Sequence, residues 1–190
     1  GVLTMTYRIN GAGEVSVAEQ LEAGDAEAPG MFRFGMTMAM PARYSEIVYY
    51  GRGAHENYCD RLSSADLGLY SQKVADQYHD EYVRPQESGT KSDLRWWSVV
   101  DSSGSGLTIL SEAPFSASAL PYATEALDVT NFPPQQHSGP LRSGDRTYVN
   151  FDLRQMGLGC INSWGELPED QYMIPYGDYT FRFLLRPTVK

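Results

Sequence analysis

Alternating apolar and polar positions run along much of the chain, and they predict short β-strands. Residues 3–9 alternate, the turn-forming sequence Asn10-Gly11-Ala12-Gly13 follows, and residues 14–21 alternate again. An Asn-Gly pair between two alternating runs is a strong signal for a β-hairpin. The start of the chain is therefore predicted to form two antiparallel strands.

Further stretches with the composition of strands follow at short intervals. They span residues 31–40, 46–51, 67–74, 94–100, 106–110, 146–153 and 179–185. The first of these has Met and Phe on alternate positions, which favours a core strand over an apolar binding surface. A helical turn is predicted at residues 122–127, and residues 131–144 around His137 have loop composition. Many short strands, little helix and no internal repeat predict an all-β sandwich or barrel.

Length and composition predict one folded domain over residues 1–190. Hydrophobic residues make up 42% of the chain, with thirteen Tyr, seven Phe and three Trp, which is enough for a substantial core. The formal net charge of −9 argues against nucleic acid, whose phosphates require a basic surface. No apolar run reaches the roughly 18 residues that a membrane-spanning helix needs. Cys59 and Cys160 have no metal-binding spacing and are predicted to be two free thiols.

The residues alone show no catalytic signature. No two carboxylates are placed by spacing as an acid and a nucleophile. The histidines His55, His79 and His137 are scattered without metal-ligand spacing, so each is interpreted as a hydrogen-bonding surface or loop residue. Ser163 is not in a GxSxG elbow, and no phosphate loop or dinucleotide fingerprint occurs. The sequence therefore predicts a domain without catalytic groups or a metal site of its own.

Residues 157–165 place Trp164 between small, turn-forming residues, just after the strand predicted at 146–153. Glycines permit backbone angles and close approaches that other residues cannot adopt, so this segment is predicted to be tight. One interpretation is a tryptophan aimed at a flat, partly apolar ligand such as a sugar face. The other is a tryptophan that fills the end of a β-sandwich core.

Four motifs are linked along the chain. Residues 49–61 contain Gly-Arg-Gly, Glu-Asn-Tyr and Asp-Arg, and residues 82–96 contain Pro-Gln-Glu-x-Gly and Asp-x-Arg-Trp. Residues 150–159 contain Asn-x-Asp-x-x-Gln-x-Gly-x-Gly, and residues 162–165 are Asn-Ser-Trp-Gly. In order and separation these motifs resemble the elements GxGPxENYxDR, YxxPQENGN…DxRW and NxDxxQxGxGGDxSWG of the C-terminal domain of glycoside hydrolase family 2 β-galactosidases. Matching segments extend from about residue 31 to the C-terminus.

The resemblance implies both a fold and a place in a larger enzyme. The fold is an antiparallel β-supersandwich of the galactose mutarotase-like type. In the family this domain is the last of a multidomain enzyme, and the two catalytic glutamates and the Mg²⁺ and Na⁺ sites lie on other domains. The chain is therefore expected to be a C-terminal piece, preceded by further strands and without a cofactor of its own. Expected partners are a β-galactoside sugar, the catalytic barrel domain of the parent and, in an oligomer, another copy of that parent.

The family motifs also imply roles for particular residues. Trp164 matches a tryptophan that packs on the sugar, and Asn162 and Ser163 adjoin it. A looser match makes a mobile rim loop of five residues: Gly89, Thr90, Lys91, Ser92 and Asp93. Four further residues match positions that support the architecture: Glu56, Asn57, Asp60 and Arg61.

The chain departs from the family pattern at three places. Ala54 stands where the family usually has Pro, Ser88 where it has Asn, and Cys160-Ile161 where it has Gly-Asp. The last change lies in the turn that carries Trp164, so the hydrogen bonding of this turn is expected to differ from the family pattern.

Two alternatives to the β-galactosidase domain remain open from sequence. A free-standing carbohydrate-binding module would use the same tryptophan. An aldose 1-epimerase-like protein would share the fold class, but it needs a His acid and a carboxylate base that face the sugar ring. The compartment, cytoplasmic or periplasmic, is not distinguished by the sequence.

Overall fold

Antiparallel strands dominate the computed structural model, which describes residues 1–25, 27–82, 86–127, 141–162 and 164–189. In these ranges there is one helical turn, α1 (Thr124–Leu127), and short 3₁₀ turns lie at Leu62–Ser64, Val74–Asp76 and Asp170–Tyr172. The strands are β1 (Val2–Ile9), β2 (Val15–Glu22), β3 (Arg33–Pro41), β4 (Glu46–Gly53), β5 (Asp66–Lys73), β6 (Lys91–Val100), β7 (Gly106–Leu120), β8 (Arg146–Gln155) and β9 (Tyr179–Thr188).

The predicted hairpin at the start of the chain is confirmed. Strands β1 and β2 pair antiparallel, with Ile9 opposite Val15 next to the turn. The side-chain oxygen of Asn10 accepts hydrogen bonds from the backbone N–H groups of Ala12 at 3.0 Å and Glu14 at 3.1 Å. Gly13 has φ of 78°, a conformation that favours glycine. Asn10 and Gly13 thus close the turn that their sequence predicts.

Strand β7 connects the two layers of the fold. The hydrogen-bonded order is β1-β2-β9-β7-β6-β4-β5, and β8 pairs with both β7 and β3. The first part of β7 pairs with β9 as far as Ser111, and its last part pairs with β8 from Ser116 onward. Pro114 lies between these parts and has no N–H to donate to a ladder. The sheet branches there, so β3 and β8 can cover one face of the main sheet.

Aromatic side chains fill the space between the layers. Phe151 of β8 meets Phe183 of β9 edge-on, with ring centroids 5.0 Å apart. Phe34 of β3 lies 5.4 Å from Tyr179 of β9. The methionines of β3 are half-buried and pack against the same core: Met36, Met38 and Met40. The fold is therefore an all-β sandwich, as predicted, and the Met-rich strand belongs to its core.

Several strands are longer than the sequence predicts. β6 begins at Lys91 instead of residue 94, and β7 continues to Leu120 instead of ending near residue 110. The start of β6 is polar, so it lacks the apolar alternation from which strands are predicted. Its side chains are buried through hydrogen bonds to residues distant in sequence, which no local pattern reveals. Residues 131–140 of the predicted loop around His137 lie outside the described ranges.

Candidate functional site

Trp164 is the most exposed of the large hydrophobic side chains among the described residues. It is 93% exposed, whereas Trp97 is fully buried in the core. The interpretation of Trp164 as a core residue is therefore wrong. Other apolar side chains of the same region are also exposed, and they are Leu158, Ile161 and Leu167. Several apolar side chains close in sequence to Trp164 are thus exposed along with its ring.

Asn162 holds the tip of the turn that carries Trp164. Its side-chain oxygen accepts a hydrogen bond from the Trp164 N–H at 2.8 Å, and its side-chain NH₂ donates to Glu166 at 2.6 Å. Gly165 has φ of 91°, which side-chain-bearing residues rarely adopt. Both groups of the Asn162 side-chain amide therefore form hydrogen bonds to residues of the turn and its end. Ser163, the other residue predicted beside Trp164, lies outside the described residues.

The base of this segment is anchored by two hydrogen bonds to distant parts of the chain. The Gly157 N–H donates to the carbonyl of Tyr172 at 2.9 Å, and the Gly159 N–H donates to the carboxylate of Asp60 at 2.5 Å. Cys160 is one of the two residues at which this turn departs from the motif described above. Its backbone N–H donates to the carbonyl of Leu158 at 3.1 Å, and its side chain is exposed. The departure at residues 160–161 leaves the turn closed by local backbone contacts.

Glu56 lies at the centre of a buried polar network. Its carboxylate accepts hydrogen bonds from the Gly89 N–H at 2.7 Å and from the Tyr82 hydroxyl, and it pairs with Arg61. Burial raises the pKa of Glu56, but the hydrogen bonds from Tyr82 and Gly89 and the charges of His79 and Arg61 outweigh it. The net effect holds its pKa below the ordinary value. Glu56 is thus stabilised as a buried anion.

Asn57 links the backbone of residues 52–55 to the start of β6. Its side-chain NH₂ donates to the carbonyls of Arg52 and His55, both at 3.1 Å. Its side-chain oxygen accepts from the N–H and hydroxyl of Ser92, and its backbone N–H donates to the carbonyl of Thr90 at 2.8 Å. Asn57 is fully buried, so all of these groups depend on one another for their hydrogen bonds.

The segment predicted as a rim loop has a different structure. Lys91, Ser92 and Asp93 belong to β6, and Gly89, Thr90, Lys91 and Ser92 are buried. The Lys91 ammonium donates to Gln77 at 2.8 Å and to the carbonyl of Gly89 at 3.1 Å. Burial lowers the pKa of Lys91 to about 8, and the charge of Glu56 opposes this shift. Internal hydrogen bonds therefore satisfy these polar side chains, and the role of this segment as a mobile rim of the site stays a prediction.

A second charged cluster, around the buried Asp152, was not predicted from the sequence. Arg33 pairs with Glu87 at 2.7 Å and lies 3.8 Å from Asp152. Burial raises the pKa of Asp152 to about 7, against the opposing charge of Arg33 and with help from Glu87 and Glu19. Burial also raises the pKa of Glu87 and of Glu19. Asp152 belongs to the Asn-x-Asp motif, but that motif does not reveal which residues it faces.

The two histidines that the structure describes, His55 and His79, make separate contacts. His55 contacts the hydroxyl of Ser64 at 3.1 Å, the ring of His79 lies 5.5 Å from that of Tyr82, and His137 is outside the described residues. Within the described ranges, no three His, Cys, Asp or Glu side chains are grouped to hold a metal ion. No helix in those ranges has the length and apolar character to cross a membrane. Both cysteines are free, as predicted.

The fold and this segment together define an all-β sandwich that presents one exposed tryptophan on an anchored turn. Residues 2–185 match the family model described as beta galactosidase small chain. The chain belongs to this family.

Individual relatives agree with that assignment. A β-galactosidase of Priestia megaterium is 32% identical over 185 residues, which cover 96% of this chain and 17% of the relative. A β-galactosidase of Vibrio cholerae is 33% identical over 161 residues, covering 85% of this chain and 14% of the relative. One from Lactobacillus delbrueckii subsp. bulgaricus is 32% identical over 174 residues, covering 92% and 16%. The chain thus spans about a sixth of the length of these curated relatives.

Proposed function

We propose that this chain is the sugar-facing accessory domain of a β-galactosidase that hydrolyses terminal non-reducing β-D-galactosyl residues. The observation that carries the proposal is the 93% exposure of Trp164 on a turn fixed at its tip and its base. Burying so large an apolar ring stabilises a protein core, so leaving it in water is unfavourable unless a partner covers it.

Trp164 would act as a stacking platform for the sugar. A sugar ring on an aromatic face covers roughly 50–100 Å² of apolar surface, worth about 1–3 kcal/mol at about 25 cal/mol per Å². Asn162 would hold the ring in its direction through the turn. Ser163 is proposed to adjoin the sugar on the strength of the motif alone.

The reacting groups would lie elsewhere in the parent enzyme. The family resemblance implies that the catalytic glutamates lie on a barrel domain of the parent. It also implies that the Mg²⁺ and Na⁺ ions bind to domains other than this one. Within the described ranges no three His, Cys, Asp or Glu side chains are grouped to hold a metal ion. A partner domain of the same parent would complete the site around Trp164.

The test is Trp164→Ala in the full-length parent enzyme. Loss of about 1–3 kcal/mol of stacking should lower kcat/KM with galactosides by a factor of about 5 to 150. Tyr7→Ala is the matched control, because Tyr7 is an exposed aromatic on the edge strand β1. Equal kinetics for wild type and Trp164→Ala would overturn the proposal.

The same exposed ring also favours a second candidate, a carbohydrate-binding module that acts without a catalytic partner. A single aromatic platform should bind sugar weakly, since its stacking free energy of about 1–3 kcal/mol is smaller than the roughly 4–15 kcal/mol that association costs in translational and rotational freedom. Calorimetric titration of the chain with galactose and lactose separates the candidates. Dissociation constants below millimolar would support the independent module, and weaker binding would support the accessory domain.

A further inference from the structure

The turn that carries Trp164 depends on a residue far from it in sequence. Two hydrogen bonds join the described part of segment 157–165 to residues distant in sequence. One is between backbone groups of Gly157 and Tyr172. The other runs from the Gly159 N–H to the Asp60 carboxylate and is the one made by a side chain. A charge-assisted hydrogen bond of this kind is stronger than one between neutral groups.

Close packing makes the contact with Asp60 specific. A Cβ on Gly157 would lie 2.7 Å from an Asp60 carboxylate oxygen and 2.9 Å from the Cβ of Tyr172. A Cβ on Gly159 would lie 3.0 Å from the same oxygen. Both glycines therefore let the backbone lie directly against the carboxylate. The segment has little room to shift while this contact exists.

Asp60 is itself held by the buried network around Glu56. The next residue, Arg61, pairs with the Glu56 carboxylate, and its N–H donates to the Tyr58 carbonyl at 3.0 Å. On the other side, the Cys59 thiol donates to the carbonyl of Gln155 at 3.3 Å, at the end of β8. Contacts on both sides of Asp60 therefore fix its position relative to the strand from which the Trp164 segment leaves.

The two carboxylate oxygens of Asp60 differ in their hydrogen bonding among the described residues. The oxygen Oδ1 is buried and unpartnered in the described part of the chain, while Oδ2 accepts from Gly159. Leaving a buried carboxylate oxygen unpartnered opposes folding. An apolar side chain at this position would avoid that cost but could not bind the Gly159 N–H. This cost indicates that the role of the Asp60 side chain is its hydrogen bond with the Gly159 N–H.

We propose that Asp60 is a positioning residue for Trp164, which fixes the base of the 157–165 turn through Gly159 and so sets the direction of the exposed ring. The proposal rests on the proposed function in so far as the ring faces a sugar. Asp60 itself acts through the backbone and needs no contact with substrate.

The first measurement is hydrogen exchange by mass spectrometry on peptides that cover residues 157–165. Asp60→Ala should speed exchange there at least about tenfold, the factor expected for losing one hydrogen bond to a charged group. Asp60→Asn keeps an acceptor oxygen and should restore slow exchange. Asp101→Ala is the matched control, because Asp101 accepts from the backbone N–H groups of Ser103 and Ser105 in a distant turn. Equal exchange in 157–165 for Asp60→Ala and wild type would overturn the proposal.

The second measurement is a double-mutant cycle on kcat/KM in the full-length parent enzyme. If Asp60 acts through Trp164, Asp60→Ala combined with Trp164→Ala should lose no more than Trp164→Ala alone, within about twofold. Fully additive losses would overturn the proposed route through Trp164. A silent Trp164→Ala would contradict the proposed function alone, since the exchange result would still decide whether Asp60 fixes the turn.

Discussion

The guanidinium of Arg33 lies 3.8 Å from the carboxylate of Asp152, in the interior between β3 and β8. The carboxylate of Glu87 lies closer to the same guanidinium, at 2.7 Å. Asp152 is almost fully buried, and Glu87 and Glu19 both add negative potential around it. Arg33 thus faces two carboxyl groups, and burial together with the negative charges of Glu87 and Glu19 favours Asp152 in its protonated form.

Asp152 should make the stability of the chain depend on pH. Its pKa is raised to about 7, whereas an unfolded Asp titrates near pH 4. The folded state therefore binds the proton more tightly, and the contribution of Asp152 to stability falls as the pH rises from about 4 through 7. The slope from this one group is at most about 1.4 kcal/mol per pH unit. Asp152→Asn should reduce this slope and make the chain more stable than wild type near pH 8.

Urea unfolding at pH 5, 6, 7 and 8 measures this effect. Asp145→Asn is the control, because the Asp145 side chain is exposed and pairs with Arg146 at the surface. Glu19 and Glu87 also have raised pKa values, so some slope should remain in Asp152→Asn. Parallel stability curves for wild type and Asp152→Asn would contradict the assignment of a proton to Asp152.

Gly35 allows β3 to approach β8 beside Asp152. A Cβ on Gly35 would lie 2.7 Å from the side-chain oxygen of Asp152 and closer still to the β8 backbone. Gly35→Ala should therefore force the strands apart and lower the free energy of unfolding by about 1–3 kcal/mol. Gly11→Ala is the control, since nothing lies within 4 Å of its added Cβ. Thermal or urea unfolding compares the two, and equal stability would show that β3 can shift without cost.

Much of the fold follows from local sequence. Asn10 and Gly13 close a turn whose geometry is encoded in four residues, and the alternating runs on either side give the strand register. The alternation of Met36, Met38 and Met40 likewise marks one face of a core strand. The start of β6 could not be predicted in this way, because the burial of Lys91 depends on the hydrogen bonds that its ammonium donates to Gln77 and Gly89.

The candidate site depends more on long-range contacts than the fold does. The glycines around Trp164 predict a tight turn, but they fit a buried and an exposed ring equally well. Asp60 fixes that turn from 99 residues away, and such a pairing leaves no periodic signal. The group formed by Arg33, Glu87 and Asp152 is hidden for the same reason, since its members come from β3, the 86–90 region and β8.

Glu56 should show the opposite dependence on pH from Asp152. Its pKa is lowered in the folded state, so its contribution to stability is present above the unfolded value near 4.3 and is lost as the pH falls through the folded value. Glu56→Gln should lower stability by about 1–3 kcal/mol at pH 7, because Gly89, Tyr82 and Arg61 would lose an anionic acceptor.

The difference between Glu56→Gln and wild type should shrink below about pH 4, where the wild-type carboxylate becomes protonated. Chemical unfolding followed from pH 3 to pH 7 tests this expectation. Glu112→Gln, at an exposed position of β7, is the control and should leave stability unchanged. A constant difference across the pH range would show that the charge of Glu56 contributes nothing.

Trp164 should dominate the solvent-accessible part of the tryptophan fluorescence. Its ring is 93% exposed, Trp97 is fully buried, and Trp96 is half-buried. Acrylamide should therefore quench a large part of the emission in wild type, and Trp164→Phe should remove most of this part without changing the unfolding midpoint. Trp96→Phe is the matched control and should leave most of the accessible emission.

A sugar that stacks on Trp164 should slow its quenching, so lactose at concentrations above its dissociation constant should protect wild type and leave Trp164→Phe unaffected. Equal quenching in wild type and Trp164→Phe would contradict the exposed position of the ring. Protection that persisted in Trp164→Phe would place the bound sugar elsewhere on the chain.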